Sequence, residues 1–103
     1  EKIRSDLAGY SVVRSTSPLD NRAIWLEIFA GGIHKGNSCQ TLLKKLNINC
    51  KEVAGLGNDY NDIDFLDICA YLVANAPVNL QRHYKLVKSD KEEGFTEFIS
   101  KVL

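Results

Sequence analysis

From about residue 35 onward, short apolar segments alternate with segments of helical periodicity, and this alternation constrains the fold more than any other feature of the chain. Short apolar strands separated by helices are typical of a parallel sheet that is covered by helices on both faces. The sequence therefore predicts an α/β fold for this part. The predicted helices cover residues 37–47, 61–70, 76–84 and 90–103, and the predicted strands cover 51–57, 71–75 and 85–89. Asn37 or Ser38 is expected to cap the first of these helices.

The first thirty residues break the alternation and are predicted to form a different unit. Residues 1–8 have the pattern of a helix end, which Gly9 terminates. Residues 10–16 and 23–30 are rich in β-branched and aromatic side chains, and the turn formers of residues 17–22 separate them. These two strands are expected to pair as an antiparallel hairpin.

Composition excludes several classes of partner. The 13 basic and 13 acidic side chains balance, so no net field favours nucleic acid or an anionic membrane. The basic stretch over residues 82–88 lies near many carboxylates, and nucleic-acid binding through it is not expected. No apolar run approaches the ~20 residues that span a bilayer. An odd number of cysteines without a CxxC pair indicates reduced thiols and a cytoplasmic protein.

The segment GLGNDYNDIDFLD, residues 55–67, holds four aspartates and two asparagines directly after a predicted strand. Ligands of open α/β sheets bind beyond the carboxyl ends of the strands. Carboxylates gathered there repel each other unless a cation or a proton lies among them, and ligands with oxygen donors suit Mg²⁺. The alternative interpretation is that these residues only form a turn and a helix cap.

Two further polar residues are placed to reach the same edge of the sheet. Lys35 precedes the first predicted core helix, where a positive charge opposes the helix dipole and could instead neutralise a phosphate. Asn75 follows the next strand in the stretch VANAP. Alternatively, Lys35 is only solvated and Asn75 is only a turn residue.

In their order and spacing these stretches resemble the haloacid-dehalogenase-like phosphatases of the Cof-type branch, which carry a mixed α/β cap. The resemblance implies the carboxy-terminal half of a Rossmann-like parallel sheet in residues 31–103, preceded in residues 1–30 by the last strands of the cap. It also implies a role for each polar residue. Lys35 would steady the negative charge at the reacting phosphoryl group, and Asn61 and Asn75 would lie at the phosphate or substrate. Asn58, Asp59 and Asp62 would hold Mg²⁺.

Two departures from the family pattern bear on function. Asn58 stands where the family usually has aspartate, and Asp59 follows it, so the sequence leaves open which of the two binds the metal. The family's nucleophilic DxD motif is not found in a suitable context. Because the chain begins at Glu1 and contains no methionine, we expect a fragment whose nucleophile would precede Glu1.

The resemblance thus implies a Mg²⁺-dependent phosphohydrolase for small phosphate esters such as sugar phosphates, acting through an aspartyl-phosphate. Its partners would be a small phosphorylated metabolite and the missing amino-terminal part of its own chain, and the isolated fragment is expected to be inactive. The alternative is a non-catalytic module, or pseudo-enzyme, that binds Mg²⁺ or phosphate on the same fold.

Overall fold

The structure is a computed structural model that describes residues 2–17, 19–20 and 22–103, with only the backbone described at Cys69 and Ala70. The described helices are α1 (Lys2–Asp6), α2 (Lys35–Leu46), α3 (Ile63–Cys69), α4 (Val78–Gln81) and α5 (Gly94–Val102). The described strands are β1 (Tyr10–Thr16), β2 (Ile24–Ala30), β3 (Gly55–Gly57), β4 (Ala70–Val73) and β5 (Lys85–Val87). Single 3₁₀ turns cover Cys50–Glu52, Tyr60–Asp62 and Asp90–Glu92. None of the described helices is long and apolar enough to cross a bilayer.

Strands β1 and β2 form the predicted antiparallel hairpin, with a register that runs from Tyr10 opposite Ala30 to Thr16 opposite Ile24. Among the described residues these two strands pair with each other alone, and they form a sheet separate from that of β3, β4 and β5. Most of the large apolar side chains on β2 are exposed, including that of Trp25. The predicted hairpin is confirmed, and the predicted domain boundary at residues 30 and 31 stays a prediction.

Strands β3, β4 and β5 form a parallel sheet in that order, as the alternating pattern predicts. Helix α3 packs on one face, where a Cβ atom added to Gly57 would lie 3.0 Å from Leu66 Cδ2. Helix α5 packs on the other face, where the ring of Phe98 meets that of Tyr71 edge-on at 5.3 Å between centroids. The predicted α/β architecture with helices on both faces is therefore confirmed.

The hydrophobic core lies between this sheet and its helices. Leu66 on α3 and Leu72 on β4 are 1% and 0% exposed. Burying a side chain of this size stabilises a fold by about 1.5–3 kcal/mol. The other buried members of the cluster are Val73, Ala76, Leu80, Val87 and Phe98. This core fixes the carboxyl ends of the three strands, from which Asn58, Ala74 and Lys88 emerge at one common edge.

The first core helix begins two residues earlier than predicted, at Lys35, and the predicted cap at Asn37 or Ser38 is wrong. His34 is the N-cap residue, and its Nδ1 accepts the backbone N–H of Asn37 at 3.2 Å. The side chain of Asn37 instead donates to the carbonyl of Gly32 at 2.6 Å. Lys35 is therefore the first residue of α2 itself.

Several predicted elements are shorter in the structure, among them the helix predicted over residues 76–84, which spans only Val78–Gln81, and the strand predicted over residues 85–89, which spans only Lys85–Val87. Strand β3 spans only three residues, because Asn49 and Glu52 form a capping box that begins a 3₁₀ turn where the strand was expected. The predicted helix over residues 90–103 is interrupted at Glu93, whose φ of 64° is left-handed. Helix α5 starts at Gly94, where a Cβ atom would clash with the carbonyl of Lys88. Only glycine allows this close approach.

Candidate functional site

The candidate site lies where β3 ends, in the segment Gly57–Asp62, which we call the acidic loop. Asn58 and Asp59 leave β3, and the 3₁₀ turn Tyr60–Asp62 follows and leads into α3. The first residue of α2 reaches the loop from the side, because α2 packs closely along α3. A Cβ atom at Gly36 would lie 2.5 Å from the carbonyl oxygen of Asp64, so glycine at this position permits the contact between the two helices.

Lys35 and Asp62, which are 27 residues apart in sequence, form an ion pair. The Nζ atom of Lys35 donates to Oδ1 of Asp62 at 2.5 Å. The Asp62 side chain is 7% exposed, whereas that of Lys35 is 54% exposed. The ammonium group is therefore fixed at one end by a buried carboxylate and remains open to solvent. This geometry suits a lysine whose ammonium group binds an anionic ligand that arrives from solution.

The second oxygen of Asp62 organises the backbone of the acidic loop. Its Oδ2 accepts the N–H groups of Asn58 at 2.8 Å and of Asp59 at 3.3 Å. Together with Lys35, three donors converge on this carboxylate. Hydrogen bonds to a charged acceptor are about twice as strong as neutral ones, so Asp62 fixes the conformation of the loop.

Asp59 is buried, with 8% exposure, and both of its carboxylate oxygens accept backbone N–H groups. Oδ1 accepts from Tyr60 at 2.7 Å, and this bond caps the 3₁₀ turn. Oδ2 accepts from Thr16, at the end of β1, at 2.5 Å. The second contact joins the acidic loop to the hairpin.

The two asparagines of the loop differ in their surroundings. Asn58 is exposed. The side-chain oxygen of Asn61 is buried, and no hydrogen-bond donor reaches it from the residues that the structure describes. A buried amide oxygen without a donor is unusual, because leaving such a group unpaired costs about 1–3 kcal/mol.

The four aspartates do not gather around one point, contrary to the crowding expected from sequence. Asp59 and Asp62 lie in the loop, whereas Asp64 and Asp67 lie on α3 in separate surroundings. Asp64 is 58% exposed to solvent, and Asp67 Oδ1 accepts the hydroxyl of Tyr84 at 2.8 Å. Protein donors or solvent therefore reach all four carboxylates, and their number alone does not require a cation.

The contact with Asp67 has an electrostatic consequence for Tyr84. Burial, and then the hydrogen bond to the Asp67 carboxylate, raise the pKa of Tyr84 to about 12. Both effects disfavour the phenolate, because it would be poorly solvated and would face a negative charge. Tyr84 precedes β5 and packs against the hydrophobic core, so its contact with Asp67 joins that segment to α3.

Asn75 follows β4, as predicted, and its side chain bonds to Asp90 in the described part of the chain rather than to the acidic loop. Its Nδ2 donates to Asp90 Oδ1 at 2.7 Å, and its Oδ1 accepts the Asp90 N–H at 3.2 Å. This reciprocal pair joins the segments that follow β4 and β5. The described contacts thus bring together Lys35, the acidic loop and β1, but not Asn75.

Two residues outside the predicted set also contact the acidic loop. The guanidinium carbon of Arg14 on β1 lies 4.4 Å from the ring centroid of Tyr60. The Tyr60 hydroxyl donates to Asn79 Oδ1 on α4 at 2.9 Å. The sequence gives no signal for either contact, because Arg14 lies 46 positions before Tyr60 within a segment that is otherwise typical of a strand.

The donor set of the loop matches a hard cation in chemistry but does not complete a coordination shell. Its side chains offer amide and carboxylate oxygens, which Mg²⁺ prefers. Within the described part of the chain, however, no three His, Cys, Asp or Glu side chains are grouped so that they could hold a metal ion. The exposed Asn58 oxygen fits as one ligand, and further ligands would have to come from outside these residues.

Comparisons with known proteins agree with this fold and site. A sequence model of the haloacid dehalogenase-like hydrolase family matches residues 2–99, and the chain belongs to this family. The resemblance inferred from the sequence is thereby confirmed. No curated protein matched the chain.

Solved structures of the same class superpose on nearly the whole chain. A haloacid dehalogenase-like hydrolase from Bacteroides thetaiotaomicron is similar at 24% identity and a TM-score of 0.76, over 99% of this chain and 38% of that one. One from B. subtilis has 21% identity and a TM-score of 0.82, over 99% of this chain and 35% of that one. A protein described as a HAD/COF-like hydrolase from Plasmodium vivax has 25% identity and a TM-score of 0.77, over 98% and 35%. The chain therefore spans well under half the length of these relatives.

Proposed function

We propose that this chain carries part of the active site of a Mg²⁺-dependent phosphohydrolase that acts on small phosphate esters such as sugar phosphates. The observation that carries the proposal is the Lys35–Asp62 ion pair beside Asn58 at the carboxyl edge of the parallel sheet. Membership of the haloacid dehalogenase-like hydrolase family supports a hydrolase. The metal, the phosphate ester and the cytoplasmic location are our inferences.

In this proposal each residue of the site acts through its own chemistry. The Lys35 ammonium binds the phosphoryl oxygens, and Asp62 holds that ammonium in place. Asn58, Asp59 and Asp62 are the candidates for the metal side of the site. Asn61, with its unpaired buried oxygen, and Asn75 are candidates for contact with the substrate. Bound Mg²⁺ would offset the negative charge of the phosphoryl group.

The nucleophile has no candidate among these residues, because Asp59 and Asp62 are buried and engaged. We propose that an amino-terminal segment of the same polypeptide supplies a nucleophilic aspartate, which would form the aspartyl-phosphate, together with the remaining metal ligands. The 103-residue chain alone is then inactive. Its partners in the reaction are that segment and a small phosphorylated metabolite, and not nucleic acid or a membrane.

The test is hydrolysis of p-nitrophenyl phosphate by the product of the complete gene and by the 103-residue chain. We expect turnover by the complete product that requires Mg²⁺ and falls by at least about 100-fold in Lys35→Ala, since removing one donor to a developing negative charge costs about 2.7–4 kcal/mol in active sites. Lys45→Ala, an exposed lysine on the same helix, is the matched control. Turnover by the 103-residue chain alone, or full activity of Lys35→Ala, would contradict the proposal.

A second candidate is a non-catalytic module that binds Mg²⁺ or phosphate on the same fold. Asn58 favours it, because a neutral amide oxygen attracts a divalent cation less than a carboxylate does. The substitution Asn58→Asp separates the two functions. A catalytic site is expected to keep or gain Mg²⁺-dependent turnover in this variant, whereas a binding module stays inactive in both forms.

A further inference from the structure

The acidic loop contacts the outer edge of the hairpin at the backbone N–H of Thr16, which has no acceptor on β2. Ser17 donates its N–H to Ala23 across the hairpin. Because hydrogen-bonded and non-hydrogen-bonded pairs alternate in an antiparallel ladder, the Thr16 N–H one position earlier points away from β2. Asp59 Oδ2 accepts this N–H at 2.5 Å. The Asp59 carboxylate thus supplies the acceptor for a backbone N–H at the strand edge that β2 cannot pair.

A second contact two residues earlier on β1 reinforces the first. Arg14 precedes Thr16 by two residues, so their side chains project from the same face of the strand, and the guanidinium carbon of Arg14 lies 4.4 Å from the ring centroid of Tyr60. Tyr60 is in turn hydrogen-bonded to Asn79 on α4. Two adjacent residues of the acidic loop therefore contact two alternate residues of β1, which is a specific alignment of the hairpin against the loop.

The same contacts occupy Asp59. Its side chain is buried, its Oδ1 accepts from Tyr60 and its Oδ2 accepts from Thr16, so a cation arriving from solvent would have to displace the hairpin to reach it. Asn58, one position earlier, is exposed. The two neighbours thus divide into one residue that faces solvent and one that faces the hairpin.

We propose that Asp59 is a positioning residue that latches the hairpin onto the acidic loop, and that Asn58 offers the side-chain oxygen of this pair to the metal. The role of Asp59 in fixing the hairpin to the acidic loop is inferred from the contacts with Thr16 and Arg14 alone. The role of Asn58 rests on the proposed function of the site.

The first experiment follows the Thr16 amide by NMR in the complete gene product during a titration with MgCl₂. We expect a Thr16 N–H that exchanges slowly with solvent before any metal is added, and whose exchange rate stays unchanged as Mg²⁺ shifts the resonances of Asn58. Release of the Thr16 amide by Mg²⁺ would show that the Asp59 carboxylate moves to the metal, and would overturn the proposal. This titration needs no variant, so it does not depend on the folding of a mutant.

The second experiment compares Asp59→Asn with the matched control Asp64→Asn, an exposed aspartate on α3. In Asp59→Asn we expect Thr16 exchange to accelerate about tenfold or more, since a charge-assisted hydrogen bond is lost. We also expect the ring-current shift of the Arg14 side chain by Tyr60 to decrease, which a loss of stability elsewhere would not cause. The control is expected to leave both signals unchanged.

The outcomes separate the latch from the metal site. If Mg²⁺ perturbs no resonance of the complete gene product, the metal site and the role of Asn58 fail together, and the Asp59→Asn comparison still decides the latch. If Asp59→Asn leaves both Thr16 exchange and the Arg14 shift as in the wild type, the latch is refuted. If Asp59→Asn weakens Mg²⁺ binding of the complete product at least as much as Asn58→Ala does, Asp59 is the ligand and the assignment is reversed.

Discussion

Replacing Lys35 by methionine tests whether the ion pair with Asp62 holds the candidate site together. The substitution keeps the length and most of the apolar stem of the side chain but removes the charge. It leaves the Asp62 carboxylate, which is 7% exposed, with its two backbone donors only. We therefore expect the 103-residue chain to lose stability.

The magnitude follows from three effects. A hydrogen bond to a charged group contributes about 1.5–3 kcal/mol. The half-exposed ammonium is screened by solvent, which brings the value to the lower end of this range, about 1.5 kcal/mol. Removing a positive charge from the first turn of α2 returns about 0.3–1 kcal/mol, because that charge opposes the helix dipole. The net loss expected for Lys35→Met is about 1 kcal/mol, whereas Asp62→Asn disturbs all three donors and costs about 3 kcal/mol.

The assay is urea unfolding followed by circular dichroism, with Lys45→Met as the control. Lys45 lies on the same helix and makes no recorded ion pair in the described part of the chain, so its replacement is expected to change stability by less than about 0.5 kcal/mol. The double variant Lys35→Met with Asp62→Asn is expected to be more stable than the sum of the single losses predicts, with a coupling of about 1 kcal/mol. The reasoning is refuted if Lys35→Met is no less stable than the control, or if the two losses simply add.

Three further predictions concern the scaffold around the site. Leu72→Ala is expected to destabilise the chain by about 3 kcal/mol or more in urea unfolding, because it opens a cavity in the core. The control Leu46→Ala, at a half-exposed position, is expected to cost less than about 1 kcal/mol. Similar losses in the two variants would contradict the assigned core. Gly36→Ala is expected to force α2 away from α3 and to cost at least about 2 kcal/mol, measured in the same way, and a neutral result would refute the close contact. In an ultraviolet titration Tyr84 is expected to ionise near pH 12. Because the folded state holds this proton more tightly than the unfolded state, the protonated tyrosine stabilises the fold fully below about pH 10, and this contribution is lost as the pH rises through about 12. Tyr84→Phe removes this late step, and its persistence in that variant would assign it to another tyrosine.

The elements of the fold could be predicted because their signals are local. The β-branched run of β1, the leucine spacing in α2 and the glycines beside β3 each determine a segment through its own residues. The errors arose where a local signal was weak or shared. Histidine is an uncommon N-cap, so the true start of α2 at Lys35 was missed. The strand before Asn58 was predicted to include Lys51 and Glu52, but these two charged residues belong to the 3₁₀ turn that Asn49 caps.

The candidate site could be predicted only in part, because its geometry depends on contacts between distant residues. The unfavourable charge of Lys35 at a helix start indicated a role at the edge of the sheet, which stays a prediction, but not that Asp62 would be its partner. Nothing in the sequence shows that Asp59 meets Thr16, 43 residues away. The four aspartates of residues 55–67 were expected to crowd together, whereas packing gives Asp67 a tyrosine as its partner. Such pairings follow from the tertiary fold and not from the spacing of residues.

The central claim is that Lys35 and the acidic loop hold a phosphate and its metal. Its most direct test is a crystal structure of the complete gene product with Mg²⁺ and orthovanadate, a mimic of the transferring phosphoryl group. We expect the cation to have the Asn58 side-chain oxygen among its ligands, and the oxyanion to lie within hydrogen-bond distance of Lys35 Nζ. A cation and an oxyanion bound away from both residues, in an enzyme that is active in solution, would contradict the account.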